Sequence, residues 1–101
     1  MTDDLSNVVL NNKGILRVEC ADCQVSYSVQ NKDYNLSITN GSEDIPFFYA
    51  TDFNLKTEIK AMEAQGIRLM VIDSYGYVVT NKLNDLREGE IRQESFMVKA
   101  K

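Results

Sequence analysis

The chain has 101 residues, 44% of them hydrophobic and 26% charged, with a net charge of −4 and no histidine. This length and composition are typical of a single folded domain, so we predict one compact domain over residues 1–101. The missing histidine removes the side chain most often used for proton transfer and metal binding near neutral pH. The negative charge disfavours contact with nucleic-acid phosphates.

The first part of the chain predicts a meander of antiparallel strands, because apolar and polar side chains alternate along it. The predicted strands cover residues 7–10, 15–21, 24–30 and 34–38. Residues 11–14 and 31–33 are rich in Asn, Gly, Lys and Asp, which favours turns. Each strand therefore has one apolar face and one small-polar face.

A change of period then predicts a helix over residues 52–65. Leu55, Ile59 and Met62 are spaced i, i+4 and i+7, which places them on one helical face. Asp52 suits the helix start, and Gly66 is a typical residue just after a helix end.

The remaining sequence predicts more strands. They cover residues 67–72, 77–80 and 90–99, with a turn at 73–76 and one short helical turn within 81–89. The fold class that follows is α+β, a mostly antiparallel sheet of about six strands with one amphipathic helix packed on one face. One helix cannot cover so wide a sheet, and the uncovered apolar surface predicts self-association as a homodimer.

The excess negative charge lies in the first half of the sequence. Residues 1–50 contain seven acids and three bases, whereas residues 51–101 contain eight of each. An acidic surface attracts basic proteins over long range, which predicts a basic protein as partner. The acidic amino terminus and the lack of a long apolar run predict a cytoplasmic protein without a membrane segment.

Cys20 and Cys23 form the one spacing with a chemical association. A Cys-x-x-Cys pair supplies half of a zinc site, and the chain has no further cysteine or histidine to complete it. For a cytoplasmic protein we expect two free structural thiols. An intersubunit zinc site and a redox pair are the alternatives.

The sequence offers no catalytic, cofactor-binding or metal-binding set. Asp73 ends an apolar run, but an acid at that position most often caps a turn. Partner binding is instead assigned to acidic side chains and to aromatic residues near loops and turns. The candidate residues are Asp22, Glu43, Asp44, Phe47, Phe48, Tyr49, Asp73 and Tyr75. Phe47, Phe48 and Tyr49 lie in a predicted loop, and packing of Phe47 and Phe48 against the sheet is the alternative to partner binding.

These observations predict a small, acidic, non-enzymatic protein that acts by binding another protein, as an inhibitor, immunity or regulatory factor. It would block a basic, nucleic-acid-binding surface on its partner. The alternatives are a structural subunit of a larger assembly and a small-ligand sensor module. No cofactor and no direct contact with nucleic acid or membrane is expected.

Overall fold

The computed structural model describes residues 12–101, which form an all-β fold without a helix. The six strands are β1 (Asn12–Val29), β2 (Lys32–Tyr49), β3 (Phe53–Ala61), β4 (Gln65–Ile72), β5 (Val78–Leu86) and β6 (Ile91–Val98). The predicted α+β class is therefore wrong. The strand predicted at residues 7–10 lies outside the described residues.

The predicted helix over residues 52–65 is strand β3 and the start of β4. Leu55 and Ile59 are four residues apart, a spacing that suits both a helix face and one face of a strand. Thr57 lies between these two residues and Ala61 follows Ile59, and both are buried, whereas Met62 is exposed. These positions distinguish the strand from the helix. Burial at every second residue is the period of a strand.

Strands β1 and β2 form one long antiparallel hairpin, with pairing from Asn12↔Tyr49 to Val29↔Lys32. The turn consists of Gln30 and Asn31, whose φ angles are 45° and 72°. Positive φ at both central residues is typical of the two-residue turn that matches the twist of a hairpin. The structure thus joins the predicted strands 15–21 and 24–30 into one strand.

Strand β1 is bent between Cys20 and Cys23 and belongs to two layers. Its first part pairs with β4 from Ile15↔Ile72 to Glu19↔Arg68. Its second part pairs with β3 from Cys23↔Ala61 to Ser28↔Lys56. Because β2 follows β1 throughout, one layer has the order β5–β4–β1–β2 and the other β2–β1–β3–β6. Bent strands that pass from one layer to the other form the corners of such packings.

Cys20 and Cys23 are joined by a disulfide at this bend, which corrects the expectation of free thiols. Three extended residues span about 10 Å. The two Cα atoms are only 6.2 Å apart, because the bend shortens this segment. Buried positions are even-numbered up to Cys20 and odd-numbered from Cys23 to Val29. The bend therefore turns both sulfur atoms toward the core.

The two layers curl into a nearly closed sheet around one hydrophobic core. On one side, the tip of the hairpin reaches its own base, where Ala50 N donates to Gln30 Oε1 at 3.1 Å. On the other side, side chains connect β5 to β6. Lys82 Nζ lies 3.1 Å from Glu94 Oε2, and Asn84 Nδ2 donates to Glu94 Oε1 at 3.4 Å. The short helical turn predicted within residues 81–89 is wrong, since β5 continues to Leu86.

Candidate functional site: two ends of opposite charge

All strands run between the same two ends of the sheet. One end contains the bend of the hairpin and the turns at 62–64 and 87–90. Two backbone bonds join these turns, Ala61 N to Glu90 O at 3.0 Å and Gly89 N to Ala61 O at 2.7 Å. A third bond, from Met62 N to Asp22 O at 3.0 Å, joins the first turn to the bend. The topology thus brings together three segments that are distant in sequence.

This end carries a concentration of carboxylates and is called the acidic end. Its acidic residues are Asp22, Glu43, Glu63, Glu88 and Glu90. Within residues 12–101, Arg87 is the one basic residue of these three segments. All except the half-buried Asp22 are exposed. The acidic end is therefore a strongly negative surface.

Gln65 holds the acidic end together. Its Oε1 accepts hydrogen bonds from Ala21 N at 2.6 Å and Asp22 N at 3.2 Å. Its Nε2 donates to Asp22 O at 2.6 Å and Glu63 O at 3.1 Å. One side chain thus fixes the bend of the hairpin against the turn between β3 and β4, so that the backbone beneath the carboxylates is ordered before any partner binds.

The opposite end combines lysines with exposed tyrosines and is called the lysine–tyrosine end. It is formed by the hairpin tip, by residues 50–52 and 73–77, and by the last residues of the chain. Its lysines are Lys13, Lys32, Lys99 and Lys101, all exposed. Tyr75 and Tyr77 are 52% and 70% exposed and stack with their ring centroids 6.2 Å apart. Asp3 and Asp4 lie outside the described residues.

The three acids of this end, Asp33, Asp52 and Asp73, are engaged in local contacts. Asp33 Oδ1 accepts a hydrogen bond from Ser28 Oγ. Asp73 Oδ1 accepts hydrogen bonds from Tyr75 N at 2.9 Å and Tyr77 N at 3.0 Å, which fixes the turn that presents both rings. Asp52 Oδ1 accepts from Ala100 N at 2.7 Å, and its Oδ2 lies 3.7 Å from Lys99 Nζ. Lys101 Nζ lies 5.9 Å from the centre of the Tyr75 ring, within the range of a cation–π contact.

The structure separates the residues that the sequence predicted to bind a partner. Asp22 and Glu43 lie at the acidic end, and Asp73 and Tyr75 lie at the lysine–tyrosine end. Phe47 and Tyr49 belong to the hydrophobic core. Phe48, which lies between these two residues in sequence, projects from the outer face of the sheet and is exposed. Asp44 lies on the outer surface of β2, directly opposite Arg17.

Asp44 and Arg17 form a two-pronged ion pair. Arg17 Nε donates to Asp44 Oδ1 at 2.6 Å, and Nη2 donates to Oδ2 at 3.0 Å. These hydrogen bonds, together with the guanidinium charge, hold the pKa of the Asp44 carboxyl below its ordinary value. The same contact raises the pKa of Arg17. The charge of Asp44 is thus compensated within the protein.

The outer face of the β5–β4–β1–β2 layer carries a row of apolar residues across four strands. The register pairs Pro46 with Ile15, Ile15 with Ile72, and Ile72 with Val78. Paired residues project from the same face, so these four side chains are neighbours. Val78 directly follows Tyr77, and the row therefore lies beside the lysine–tyrosine end.

The outer face of the other layer is polar. An open trough of about 620 Å³ lies over it, with Ser26, Ser28 and Asn35 among its lining residues. Ser26 Oγ donates to Asn35 Oδ1 at 2.6 Å. In the part of the chain that the structure describes, no three Cys, Asp or Glu side chains are placed so that they could hold one metal ion. Nor does it contain a helix long and apolar enough to cross a membrane.

Comparison of the chain with family models, curated proteins and solved structures found no match. Sequence reasoning missed Glu63, Glu88 and Glu90, which complete the acidic end. Alternate turns of an antiparallel meander lie at the same end of a sheet. If residues 52–65 had been assigned to strands, the turns at 62–64 and 87–90 would have been predicted to lie at the same end, and with them these glutamates.

Proposed function

We propose that this protein acts by binding a basic surface of another protein through its acidic end. The observation that carries the proposal is the meeting of Asp22, Glu43, Glu63, Glu88 and Glu90 at one end. Among the described residues, Arg87 is the one basic residue of the bend and the two turns, and Lys60 and Arg68 lie on the adjoining strands, paired with Ile91 and Glu19. Opposite charge on a partner accelerates encounter and selects against acidic competitors. An inhibitor, immunity or regulatory factor that covers a basic surface would use such an end.

The hydrogen bonds beneath the carboxylates support this proposal. Gln65 connects the bend to the turn at 62–64, and the Gly89 and Glu90 backbones connect both turns through Ala61. Arg87 N also donates to Glu90 Oε1 at 2.9 Å. A surface that is ordered before binding loses less conformational entropy in the complex, which favours affinity.

Capture from the cell that makes the protein, followed by binding kinetics, tests the proposal. The immobilised chain should retain a basic protein, and its association rate should fall as salt rises, because screening acts beyond a Debye length of about 8 Å. The variant E63Q/E88Q should lose most of this binding. The control D33N/E58Q removes the same charge outside the acidic end and should retain this binding.

The proposal predicts that charge position, and not net charge, decides binding. Equal loss in E63Q/E88Q and D33N/E58Q would show that the acid serves general solubility. Equal capture by all three chains would show that the partner contacts another surface. In either case the acidic end is not the binding site.

A second function, as a structural subunit of an assembly, is favoured by a separate observation. The end opposite the carboxylates carries lysines and exposed tyrosines. A protein with complementary ends has the surfaces that assembly from identical copies requires.

A further inference from the structure

We propose that copies of this chain associate head to tail, with the lysine–tyrosine end of one copy on the acidic end of the next. The partner is thus a second copy, bound through two different surfaces. This contact shares the acidic end with the proposed function but requires no foreign protein. A basic partner would therefore compete with self-association.

The charges of the two ends are complementary. Lys13, Lys32, Lys99 and Lys101 lie at one end, where Asp33, Asp52 and Asp73 are already engaged in local contacts. The acidic end presents four exposed glutamates and one exposed arginine. Two lysine–tyrosine ends, or two acidic ends, would instead repel each other. Charge thus selects head-to-tail contact over contact between like ends.

Apolar side chains at both ends provide the hydrophobic contact that an interface needs in addition to complementary charge. Tyr75 and Tyr77 stand on a turn that Asp73 fixes, so that their rings form an ordered aromatic anchor. At the acidic end, Met62 is 38% exposed and Ile91 is 50% exposed. Ile91 directly follows Glu90, and Met62 directly precedes Glu63. Each apolar residue therefore lies beside a carboxylate that would meet the lysines, and Ile91 also pairs with Lys60.

The thioether of Met62 is a suitable partner for a tyrosine ring. Methionine sulfur makes favourable contacts with aromatic rings and adapts its shape to them. We therefore expect Tyr75 or Tyr77 of one copy to contact Met62 and Ile91 of the next. Lysines and glutamates would surround this contact, which gives the apolar centre and polar rim typical of protein interfaces.

A contact between different surfaces differs from the closed homodimer predicted from the sequence. Each copy that binds leaves one acidic end and one lysine–tyrosine end free. Such heterologous contacts produce rings or open chains, and not a dimer that saturates. The average mass should therefore rise with concentration beyond two copies, and salt should lower it.

Complementation between two variants of the full chain tests the proposal. The first, Y77A/K101E, alters exposed side chains of the lysine–tyrosine end and leaves the acidic end intact. The second, E63K/E88K, reverses exposed charges of the acidic end and leaves the other end intact. Circular dichroism and urea unfolding of each variant verify that the fold is unchanged.

Sedimentation velocity should give a mass that grows with concentration for the unmodified chain and a monomer mass for each variant alone. An equimolar mixture of the variants should give a two-chain mass, because one intact end of each kind remains. A monomer at every concentration of the unmodified chain would overturn the proposal. So would unchanged self-association of either variant, or a mixture without a two-chain species. Y77A/K101E should still bind a basic partner, which separates this result from the proposed function.

Discussion

The hydroxyl of Tyr49 donates a 2.6 Å hydrogen bond to the carbonyl oxygen of Lys99, fifty residues further along the chain. The Tyr49 hydroxyl oxygen also accepts a 3.0 Å hydrogen bond from Ser74 N. Tyr49 is fully buried, and its ring lies 5.2 Å from that of Phe53. A single side chain therefore connects the core to the turn that presents Tyr75 and Tyr77 and to the last residues of the chain.

Replacing Tyr49 by Phe should lower the free energy of unfolding by about 1–3 kcal/mol, because two backbone groups lose their partner. Urea unfolding measures the change. The control Tyr34→Phe removes a hydroxyl from an exposed ring and should have little effect. Equal stability of Tyr49→Phe and the unmodified chain would show that water replaces both bonds.

Gly14→Ala should destabilise the protein through a clash with Phe47. A Cβ atom at Gly14 would lie 2.3 Å from Phe47 Cζ and 2.6 Å from Cε2, so the ring must move. Overpacking of this kind costs about 1–3 kcal/mol. Gly66→Ala is the control, since its Cβ would lie 3.3 Å from the flexible Asp85 side chain. Phe47→Leu should reduce the cost of Gly14→Ala, and additive effects would contradict the clash.

The disulfide between Cys20 and Cys23 predicts a defined thiol chemistry. Protein purified without reductant should take up no alkylating reagent in denaturant and two labels after reduction, as mass spectrometry measures. Replacing both cysteines by alanine should lower stability by about 2 kcal/mol, since the closed loop is short. Direct labelling of unreduced protein would show free thiols and agree with the reducing cytoplasm that the sequence predicts.

The Arg17–Asp44 pair predicts a shifted titration. The pKa of Asp44 lies below its ordinary value because Arg17 donates two hydrogen bonds to it. A carboxyl with a lowered folded-state pKa stabilises the fold above its unfolded-state pKa, and this contribution is lost as pH falls through the folded-state value. NMR titration of Arg17→Gln should show a higher Asp44 pKa. An unchanged value would mean that the pair does not persist in solution.

Alternation in the sequence predicted part of the sheet but not its bend. The tip of the hairpin, β4, the start of β5 and β6 follow from local period and turn chemistry. Residues 40–49, the second half of β2, were not predicted as a strand. Strand β3 was missed because the Leu55–Ile59 spacing satisfies two periods and Met62 tipped the assignment toward a helix. The bend was missed because it depends on which strand pairs with each part of β1, and the partners β3 and β4 are distant in sequence.

The candidate site was predicted only in part for the same reason. Asp22 and Glu43 are recognisable as acidic residues near strand breaks, but nothing local shows that Glu63, Glu88 and Glu90 lie beside them. Comparison of the two halves of the sequence placed the acid excess in residues 1–50. In the folded chain, acidic residues gather at one end of the sheet and lysines at the other, and this division does not follow the two halves of the sequence. Phe47 and Tyr49 were assigned to a loop, but they occupy inward positions of β2 and are buried.

The backbone N–H of Lys101 donates a 2.8 Å hydrogen bond to Asn12 Oδ1, so the first and last described residues are neighbours. A circularly permuted chain would link Lys101 to the segment ahead of Asn12 and have its new termini in the turn at 62–64. Such a chain would retain every pairing between strands. Strands β3 and β4, which that turn connects, each pair with β1 and not with each other. The pairing of the strands therefore does not depend on their order along the chain, and we expect a circularly permuted chain to adopt the same fold.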